Sequence, residues 1–542
     1  MKKYGIYLAY QPTVDLRAEG LGRFLAEFLK GAEERGDVRF VIACPSWMQK
    51  SLVELFDASG VSHDCFEIIA PKRKPVLLRI HETYVAFMKK TKRKSRFTKI
   101  GEWLAGLETK MTGFVEKKMV GIRSIILMVV FCIVLLPVIL IVLVFKILIR
   151  AVSAGYTLTN KLIVRFTRHS SIRNHLDRVN ALATQPKHDL LIPRLYRLME
   201  ETEASLMRSI IESRKDISAW YCPTAFWPHF NEISAPRLMC VPDVVLTDFP
   251  VGFARIGGPR FLGNFRQVEK AITGGQHFVT YSRYVKWQTL VERYHVNQEA
   301  VAVVPHGANR LDDLIVVTGF PDNEAATDAL CRTLLKSALH KAVNYNYAGN
   351  FGSGDVRYIF YASQFRPNKN VLSLLKAYEY LLKRRYAGHK LILTGNPNAL
   401  PEVRQFIAEH NLENDVLCLH GLSARELAAC YRLADLAVNP SISEGGCPFT
   451  FTEALSVGTP VVMARIPVTE EIITDQELQQ QMLFDPYDWK DIAARIELGL
   501  NNRHALLEIQ KPVYEQLSRR TWRSAVDEYI EILDRISTVS KQ

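Results

Sequence analysis

Two short segments in the last third of the chain hold the residues best suited to chemistry. Arg366 and Lys369 lie in QFRPNK, and Glu444 and Glu453 lie in SEGGCPFTFTE. Arginine and lysine can stabilise the negative charge that gathers on a nucleoside diphosphate as it leaves a sugar, without a metal ion. Carboxylates can accept hydrogen bonds from sugar and ribose hydroxyls. These residue types therefore predict a cleft where cations and carboxylates converge on a sugar nucleotide.

A glycine loop near the N-terminus is a second candidate site. Residues 3–10 read as a strand, and Gly20, Gly22 and Arg23 lead into the helical pattern FLAEFLKGAEER. Glycines at the start of a helix let a phosphate or a sugar approach main-chain N–H groups. A nicotinamide-binding fingerprint needs a third glycine in GxGxxG, and only GxG is present, which disfavours an oxidoreductase.

The elements that must position these residues alternate between strands and helices. From VRYIFYAS onward the order is strand, loop FRPNKN, helix, strand KLILTGNP and so on to PVVMA, which predicts a parallel doubly wound sheet with ligands at the carboxyl ends of its strands. A first α/β domain begins with the N-terminal strand and VRFVIACP, and it resumes with DISAWYCP, PRLMCVPDVVL, HFVTYS and AVAVVPHGAN. We therefore predict an α/β protein with two such domains.

The length of 542 residues exceeds what one compact core normally holds. We divide the chain into a first domain begun over 1–80 and completed over 191–310, an insertion over 81–190, a less regular linker over 311–355, a second domain over 356–512 and a C-terminal helix over 513–542.

Composition narrows the function classes. Apolar residues at 48% and charged residues at 23% are ordinary for a folded protein, and a net charge of +13 favours nucleic acid, an anionic membrane or phosphate-rich substrates. Nucleic acid is disfavoured because the basic residues concentrate beside a hydrophobic segment and not on a known reader module. Nine cysteines without a CxxC pair or a Cys/His cluster predict a reducing compartment and no structural metal. The N-terminus lacks the long apolar core of a signal peptide.

The hydrophobic segment within the insertion spans residues 124–149. Its first 22 residues, Ser124 to Phe145, carry no charge and would be long enough as a helix to cross a bilayer. Basic residues flank it on both sides, and Pro137 would break the helix near its middle, so we predict a re-entrant hairpin with both ends cytoplasmic. An ordinary span and a buried core helix are the alternatives. Residues 82–123 are predicted to support it as an amphipathic surface stretch, or else to form a solvated charged helix.

The second-domain motifs resemble the retaining GT-B glycosyltransferases of glycosyltransferase family 4. ASQFRPNKN, LILTGNP, LHGLSARELAACYRLADLAVNPSISEGG and TEALSVGTPVV follow the family order across most of residues 357–465. The first half matches more loosely, at Gly20, Gly22, Ser282 and residues 304–307. The resemblance implies two Rossmann-like domains facing a cleft, with the acceptor on the first and the nucleotide sugar on the second. It also implies a C-terminal helix, from Thr521 to Ile536, that returns to the first domain.

The resemblance also implies a role for individual residues. Glu453 would hold the ribose hydroxyls, Glu444 and the N–H groups of residues 445–449 would contact the donor sugar and phosphate, and Lys369 would bind the diphosphate. Arg366 joins Lys369 and Glu444 as a catalytic candidate. The remaining positions implied at the donor are Gly445, Gly446, Cys447, Phe449, Gln364, Gly395 and His306, and those implied at the acceptor or phosphate loop are Gly20, Gly22, Arg23 and Asp243.

Three departures from the family pattern matter. Eight residues, not seven, separate Glu444 from Glu453, which predicts a bulged loop. The family arginine falls on Gln364, and Arg366 is its expected substitute. Pro242 stands where the family often has a histidine before Asp243, and His306 or His229 could compensate, although a lone histidine is more often a loop or packing residue.

The sequence thus predicts transfer of a hexose, with retention, from a UDP- or GDP-sugar to a lipid-linked saccharide in cell-surface polysaccharide synthesis. No cofactor or metal is expected, since a DxD motif is absent. The expected partners are the donor, the saccharide acceptor and an anionic membrane, at the cytoplasmic face of a bacterial inner membrane, and nucleic acid is not among them. The alternative is a non-catalytic, membrane-bound GT-B-like scaffold of a polysaccharide-synthesis complex.

Overall fold

The structure is a computed structural model that describes residues 1–12, 14, 16, 20–75, 78, 191–243, 245–257, 259–343, 351 and 356–539. Among these residues, no helix combines the length and the apolar character needed to cross a bilayer. The hydrophobic segment 124–149 and its predicted amphipathic support lie outside the described residues, so the membrane insertion stays a prediction.

The chain divides into two compact units. One consists of Met1–Lys72 with Glu200–Gln542, and it holds both of the sheets described below. The other is Arg73–Met199, of which the described residues 191–199 are helical.

The first sheet has seven parallel strands within the described part of the chain, in the order β3-β2-β1-β4-β5-β6-β7. The strands are β1 Lys2–Tyr7, β2 Val38–Ala43, β3 Phe66–Ile69, β4 Trp220–Cys222, β5 Arg237–Cys240, β6 His277–Thr280 and β7 Val301–Val303. The apolar strands are mostly buried, as a parallel sheet covered on both faces requires. The chain leaves the sheet after β3 and returns at β4 beside β1, so the predicted insertion separates two pieces of one sheet.

The second sheet has six parallel strands in the described chain, in the order β10-β9-β8-β11-β12-β13. The strands are β8 Tyr358–Tyr361, β9 Lys390–Leu393, β10 Val416–Cys418, β11 Leu436–Asn439, β12 Val461–Ala464 and β13 Leu483–Phe484. The order reverses between β8 and β11, and ligands of doubly wound folds bind outside the strand ends at such a point. We call the part built on the first sheet the first lobe and the part built on the second sheet the second lobe.

Helices cover both sheets. Those of the first lobe are α1 Gly20–Arg35, α2 Gln49–Ser59, α3 Leu191–Ser213, α4 Val245–Asp248, α5 Pro250–Gly257 and α6 Pro259–Thr273, followed by a π-helix over Val285–Arg293. The later ones are α7 Asn323–Leu339, α8 Val371–Arg384, α9 Pro401–Glu409, α10 Ala424–Arg432, α11 Phe449–Ser456, α12 Pro467–Ile472, α13 Gln476–Met482, α14 Trp489–Asn501, α15 Arg503–Ser518 and α16 Trp522–Val539.

The predicted linker over 311–355 contains a regular helix, α7. Cys331, Leu335 and Leu339 of this helix are buried in the core cluster of the second lobe. Asp322 caps its first turn by accepting a hydrogen bond from the Ala325 N–H. The helix therefore belongs to the packing of the second lobe.

The C-terminal helix α16 lies on the first lobe. The ring centroids of Phe28 on α1 and Tyr529 on α16 are 5.3 Å apart, and Lys2 pairs with Asp534 at 2.7 Å. Gly31 makes this approach possible, since a Cβ there would lie 2.7 Å from the Trp522 carbonyl.

Candidate functional site

The loops that follow β8 and β11 are tied together at the point where the order of the second sheet reverses. Tyr361, the last residue of β8, has its hydroxyl 3.0 Å from the Ser441 hydroxyl. Asn368 donates from its side chain to the Ser443 carbonyl at 3.2 Å. Asn368 belongs to the 3-10 turn Pro367–Lys369, so these bonds fix that turn against the loop that carries Glu444.

Lys369 and Glu444 form an ion pair in this position. Their Nζ and Oε1 atoms are 2.6 Å apart, and only 20% and 18% of the two side chains are exposed. Burial lowers the pKa of Lys369, but Glu444, Tyr361 and Asp243 outweigh it and raise the pKa above its ordinary value. The site therefore holds a fixed positive charge at neutral pH.

Asp243 of the first lobe meets the Glu444 loop. A Cβ built on Gly445 would lie 1.6 Å from the Pro242 carbonyl oxygen and 3.3 Å from the Asp243 Cβ, so only glycine permits this approach. Burial raises the pKa of Asp243 to about 6, Lys369 and Arg366 oppose that shift, and Glu444 adds to it. The two lobes thus close directly beside the Lys369–Glu444 pair.

Glu453 takes part in a second cross-lobe cluster. Its side chain is 2% exposed, and it pairs with Arg23 of α1. The Asn309 side chain also donates to the same carboxylate oxygen at 3.3 Å, and Trp522 of α16 donates from Nε1 to Asn309 Oδ1 at 3.3 Å. The charge of Glu453 raises the pKa of Arg23, against the effect of burial. We call these four residues the Glu453 cluster.

His306 lies against the loop that leads into α11. Its ring centroid is 3.7 Å from that of Tyr281 and 5.1 Å from that of Phe449, and a Cβ on Gly446 would lie 3.7 Å from its Cδ2. Burial, with Arg520 nearby, lowers the pKa of His306 to about 3, so the imidazole is neutral at physiological pH. Its buried Nδ1 has no hydrogen-bond partner among the described residues.

Arg366, Gln364 and Cys447 are the remaining predicted residues of the two donor loops. Arg366 is exposed and donates to Gln364 Oε1 at 3.3 Å, and its charge reaches Asp243. Burial raises the pKa of Cys447 to about 12, with Glu444 adding to the shift, so this thiol stays protonated.

Three predicted residues are explained by local contacts in the structure. A Cβ on Gly395 would lie 1.9 Å from the Phe365 ring, so this glycine makes room for packing within the second lobe. A Cβ on Gly22 would meet the Leu16 carbonyl at 2.0 Å, whereas Gly20 faces open space. His229 pairs with Glu232 at 2.9 Å in the 3-10 turn after β4, and no described contact links it to the donor loops.

Sequence reasoning missed Asn309, Tyr281 and Glu471. Glu471 of α12 accepts hydrogen bonds from the main-chain N–H groups of Arg283 and Tyr284 at 2.9 and 3.1 Å, across the lobes and at the start of the π-helix. Asn309 contacts Glu453, Tyr281 contacts His306, and Glu471 contacts Arg283 and Tyr284, so each contact joins segments that are separated in the chain. No local spacing in the sequence indicates them. In the described ranges, no group of three or more His, Cys, Asp or Glu side chains is arranged to hold a metal ion.

Comparison with known proteins finds similarity to glycosyltransferase sequences, and the family model that matches lies within the second lobe. Residues 349–516 match the family model described as Glycosyl transferases group 1. The chain is 31% identical over 132 residues to O-antigen chain mannosyltransferase RfbU of Salmonella typhimurium, which is 24% of this chain and 36% of the relative. It is 31% identical over 147 residues to O-antigen chain mannosyltransferase B of Escherichia coli, which is 27% of this chain and 37% of the relative. The matches thus span little more than a third of these two relatives.

A solved structure shares the architecture over most of the chain. The N-terminal domain of Candida albicans trehalose-6-phosphate phosphatase matches with a TM-score of 0.54 and 13% identity, over 99% of this chain and 97% of that one. At this identity the likeness concerns the fold alone. The two parallel sheets and the match together describe a GT-B-like α/β fold.

Proposed function

We propose that this protein is a glycosyltransferase that transfers a sugar from a nucleoside-diphosphate donor to an acceptor presented by the first lobe. The observation that carries the proposal is the partly buried Lys369–Glu444 pair, 2.6 Å apart, where the order of the second sheet reverses. A protonated lysine in this position can stabilise a departing diphosphate through charge alone. The glycosyltransferase family model covers this same lobe, which supports the assignment.

The proposed reaction needs no metal ion or cofactor. Lys369 and the more exposed Arg366 stabilise the diphosphate as the bond to the sugar breaks. Glu444 orients Lys369 through their ion pair and receives sugar hydroxyls at its remaining lone pairs. Glu453 holds the ribose, and neutral His306 hydrogen-bonds a sugar hydroxyl without adding charge. Retention at the sugar carbon and membership of glycosyltransferase family 4 are proposed from the resemblance of the second-lobe motifs.

For the substrates we propose a hexose on UDP or GDP as donor and a lipid-linked saccharide as acceptor, in cell-surface polysaccharide synthesis. Two relatives named O-antigen chain mannosyltransferases support this substrate class. The uncharged run from Ser124 to Phe145 supports a membrane-bound acceptor, because it gives the chain itself a segment suited to a bilayer. The proposed location is the cytoplasmic face of a bacterial inner membrane.

A screen of UDP- and GDP-sugars for binding and hydrolysis by the full chain tests the proposal. At least one donor is expected to bind, and Lys369→Ala is expected to weaken that binding by about tenfold or more, because a hydrogen bond to a charged group is lost. Lys383→Ala is the matched control, since Lys383 pairs with Glu379 at 3.1 Å on the same lobe. If no donor binds, or if Lys369→Ala binds as well as the wild type, the proposal is wrong.

The alternative, a non-catalytic GT-B-like scaffold, has one observation in its favour. Glu453, the proposed ribose ligand, is already engaged by Arg23 and Asn309. A scaffold would keep these contacts as a permanent lock between the lobes. It would bind neither UDP nor GDP, and the screen therefore separates the two functions.

A further inference from the structure

The Arg23–Glu453 pair conflicts with the role that the proposed function gives to Glu453. The buried carboxylate accepts hydrogen bonds from Arg23 and from Asn309 at the same oxygen, Oε1. Ribose hydroxyls are neutral, and a neutral hydrogen bond is weaker than one from a guanidinium. Replacing Arg23 by a ribose hydroxyl at this oxygen therefore costs binding free energy unless the guanidinium gains another anion.

The position of Arg23 indicates where that anion would lie. Its Cζ is 6.0 Å from the centre of the Phe449 ring, at the end of the glycine-containing loop that begins at Glu444. The proposed function assigns the donor diphosphate to this loop. Moreover, 42% of the Arg23 side chain is exposed, whereas Glu453 is 2% exposed. The arginine side chain thus borders solvent, whereas the carboxylate is enclosed.

We propose that Arg23 is a donor ligand that exchanges partners, leaving Glu453 for the diphosphate of the donor and thereby freeing Glu453 for the ribose. This inference rests on the proposed function. Arginine suits the exchange because its planar guanidinium can pair with two oxygens of either a carboxylate or a phosphate. Asn309, held by Trp522, remains on Glu453 throughout and keeps the buried carboxylate hydrogen-bonded.

The exchange couples recognition of the two halves of the nucleotide. A nucleoside without phosphates must break the Arg23–Glu453 pair and offers the guanidinium nothing in return. A nucleoside diphosphate breaks the same pair and supplies a new anion. A nucleoside diphosphate should therefore bind more tightly than the nucleoside, and this difference in affinity should exceed what the phosphate contacts of the second lobe alone would give.

Titration of the full-length wild type and of Arg23→Ala with uridine, UDP, guanosine and GDP tests the exchange, and ligand-observed NMR reaches the weak nucleoside affinities. Whichever of UDP and GDP the wild type binds, Arg23→Ala should lower its affinity by about 10- to 100-fold, because one charged hydrogen bond is lost. The same variant should bind the nucleoside more tightly, by up to about fivefold, because the partly exposed Arg23 no longer competes with the ribose for Glu453. Changes of opposite sign from one substitution are what a general structural defect would not produce.

Two further variants complete the test. Arg23→Lys keeps the charge and should restore most of the diphosphate affinity. Arg208→Ala removes a first-lobe arginine of similar exposure, 44%, which pairs with Glu232 at 2.9 Å, and should change neither affinity. The exchange is overturned if Arg23→Ala shifts both ligands in the same direction, or if it leaves nucleoside affinity unchanged. A wild type that binds neither UDP nor GDP overturns the proposed function and this inference with it, whereas intact diphosphate binding with an unresponsive Arg23 overturns the inference alone.

Discussion

The two cation–carboxylate pairs of the candidate site differ in how they are built. Lys369 and Glu444 both belong to the second lobe, and the Tyr361–Ser441 and Asn368–Ser443 contacts hold their loops together. Arg23 and Glu453 belong to different lobes and lie 430 positions apart in the chain. The first pair needs only one folded lobe, whereas the second exists only while the lobes touch.

This difference divides the site into two functional parts. In the proposed function, the Lys369–Glu444 pair of the second lobe is a preorganised charge for the diphosphate, which costs no rearrangement when a nucleotide binds. The first lobe adds Arg23 and Asp243 when the lobes close, and the missing side chain of Gly445 allows that closure. Nucleotide binding should depend on the second lobe and on Arg23, and sugar transfer should depend on the closed arrangement of both lobes.

Gly445→Ala should have the largest effect, because the new Cβ would overlap the Pro242 carbonyl and prevent closure. We expect kcat/KM for transfer to fall by at least about 100-fold, since misplacing reacting groups by an ångström has that effect. Binding of UDP or GDP should weaken by no more than it does in Arg23→Ala, because the Lys369–Glu444 pair of the second lobe stays in place. Gly388→Ala is the control, as nothing lies within 4 Å of a Cβ there. Normal transfer by Gly445→Ala would contradict the division into two parts.

Glu453→Ala should weaken binding of the intact donor by about tenfold, because the ribose loses a charged hydrogen-bond acceptor. The Lys369–Glu444 pair is not touched by this change, and Arg23 loses the carboxylate that competes with a diphosphate for it, so binding of inorganic pyrophosphate should not weaken. Both affinities can be measured by calorimetry. An unchanged donor affinity would refute the ribose role of Glu453.

Asp243→Asn should change the pH dependence of stability. With its pKa raised to about 6, Asp243 holds a proton more tightly in the folded protein than in the unfolded chain. Wild-type stability should therefore fall as pH rises from about 4 to 6, and the deficit should be complete above that range. The asparagine variant lacks this titration and should be more stable at pH 7, by about 3 kcal/mol, with the difference vanishing near pH 4. Denaturant unfolding between pH 4 and pH 7 measures the free energy of unfolding of the two proteins. If that free energy has the same pH dependence in both, the raised pKa of Asp243 is contradicted.

Arg255→Ala should have the smallest effect, although it also removes a cross-lobe ion pair. Arg255 and Glu402 are 2.7 Å apart, but their side chains are 68% and 30% exposed. Such a pair contributes about 0.5 kcal/mol or less, and salt screens it. Transfer activity should stay within about twofold of the wild type. A large loss would mean that rim contacts, and not the contacts around Gly445 and Glu453, hold the lobes together.

Part of the fold could be predicted because it is written in local patterns. Alternating apolar strands and amphipathic helices indicated a parallel α/β fold, and parallel strands place their following loops at one edge. From that rule alone, Lys369 and Glu444 are predicted to lie close together. The local patterns did not indicate α7, which lies inside the predicted linker. They gave no guide to Gly395, whose neighbour Phe365 is known only from packing.

The sequence by itself determined the two α/β lobes, the cations and carboxylates at the strand ends, and the candidate diphosphate site, because each depends on residues within one lobe. Only the tertiary structure decided which residues of the first lobe face them. Arg23 against Glu453, Pro242 against Gly445 and the burial of His306 all arise from the packing of distant segments, and no periodicity along the chain encodes that packing. Burial then sets the charge state of Asp243 and His306, since removing water disfavours their ionised forms.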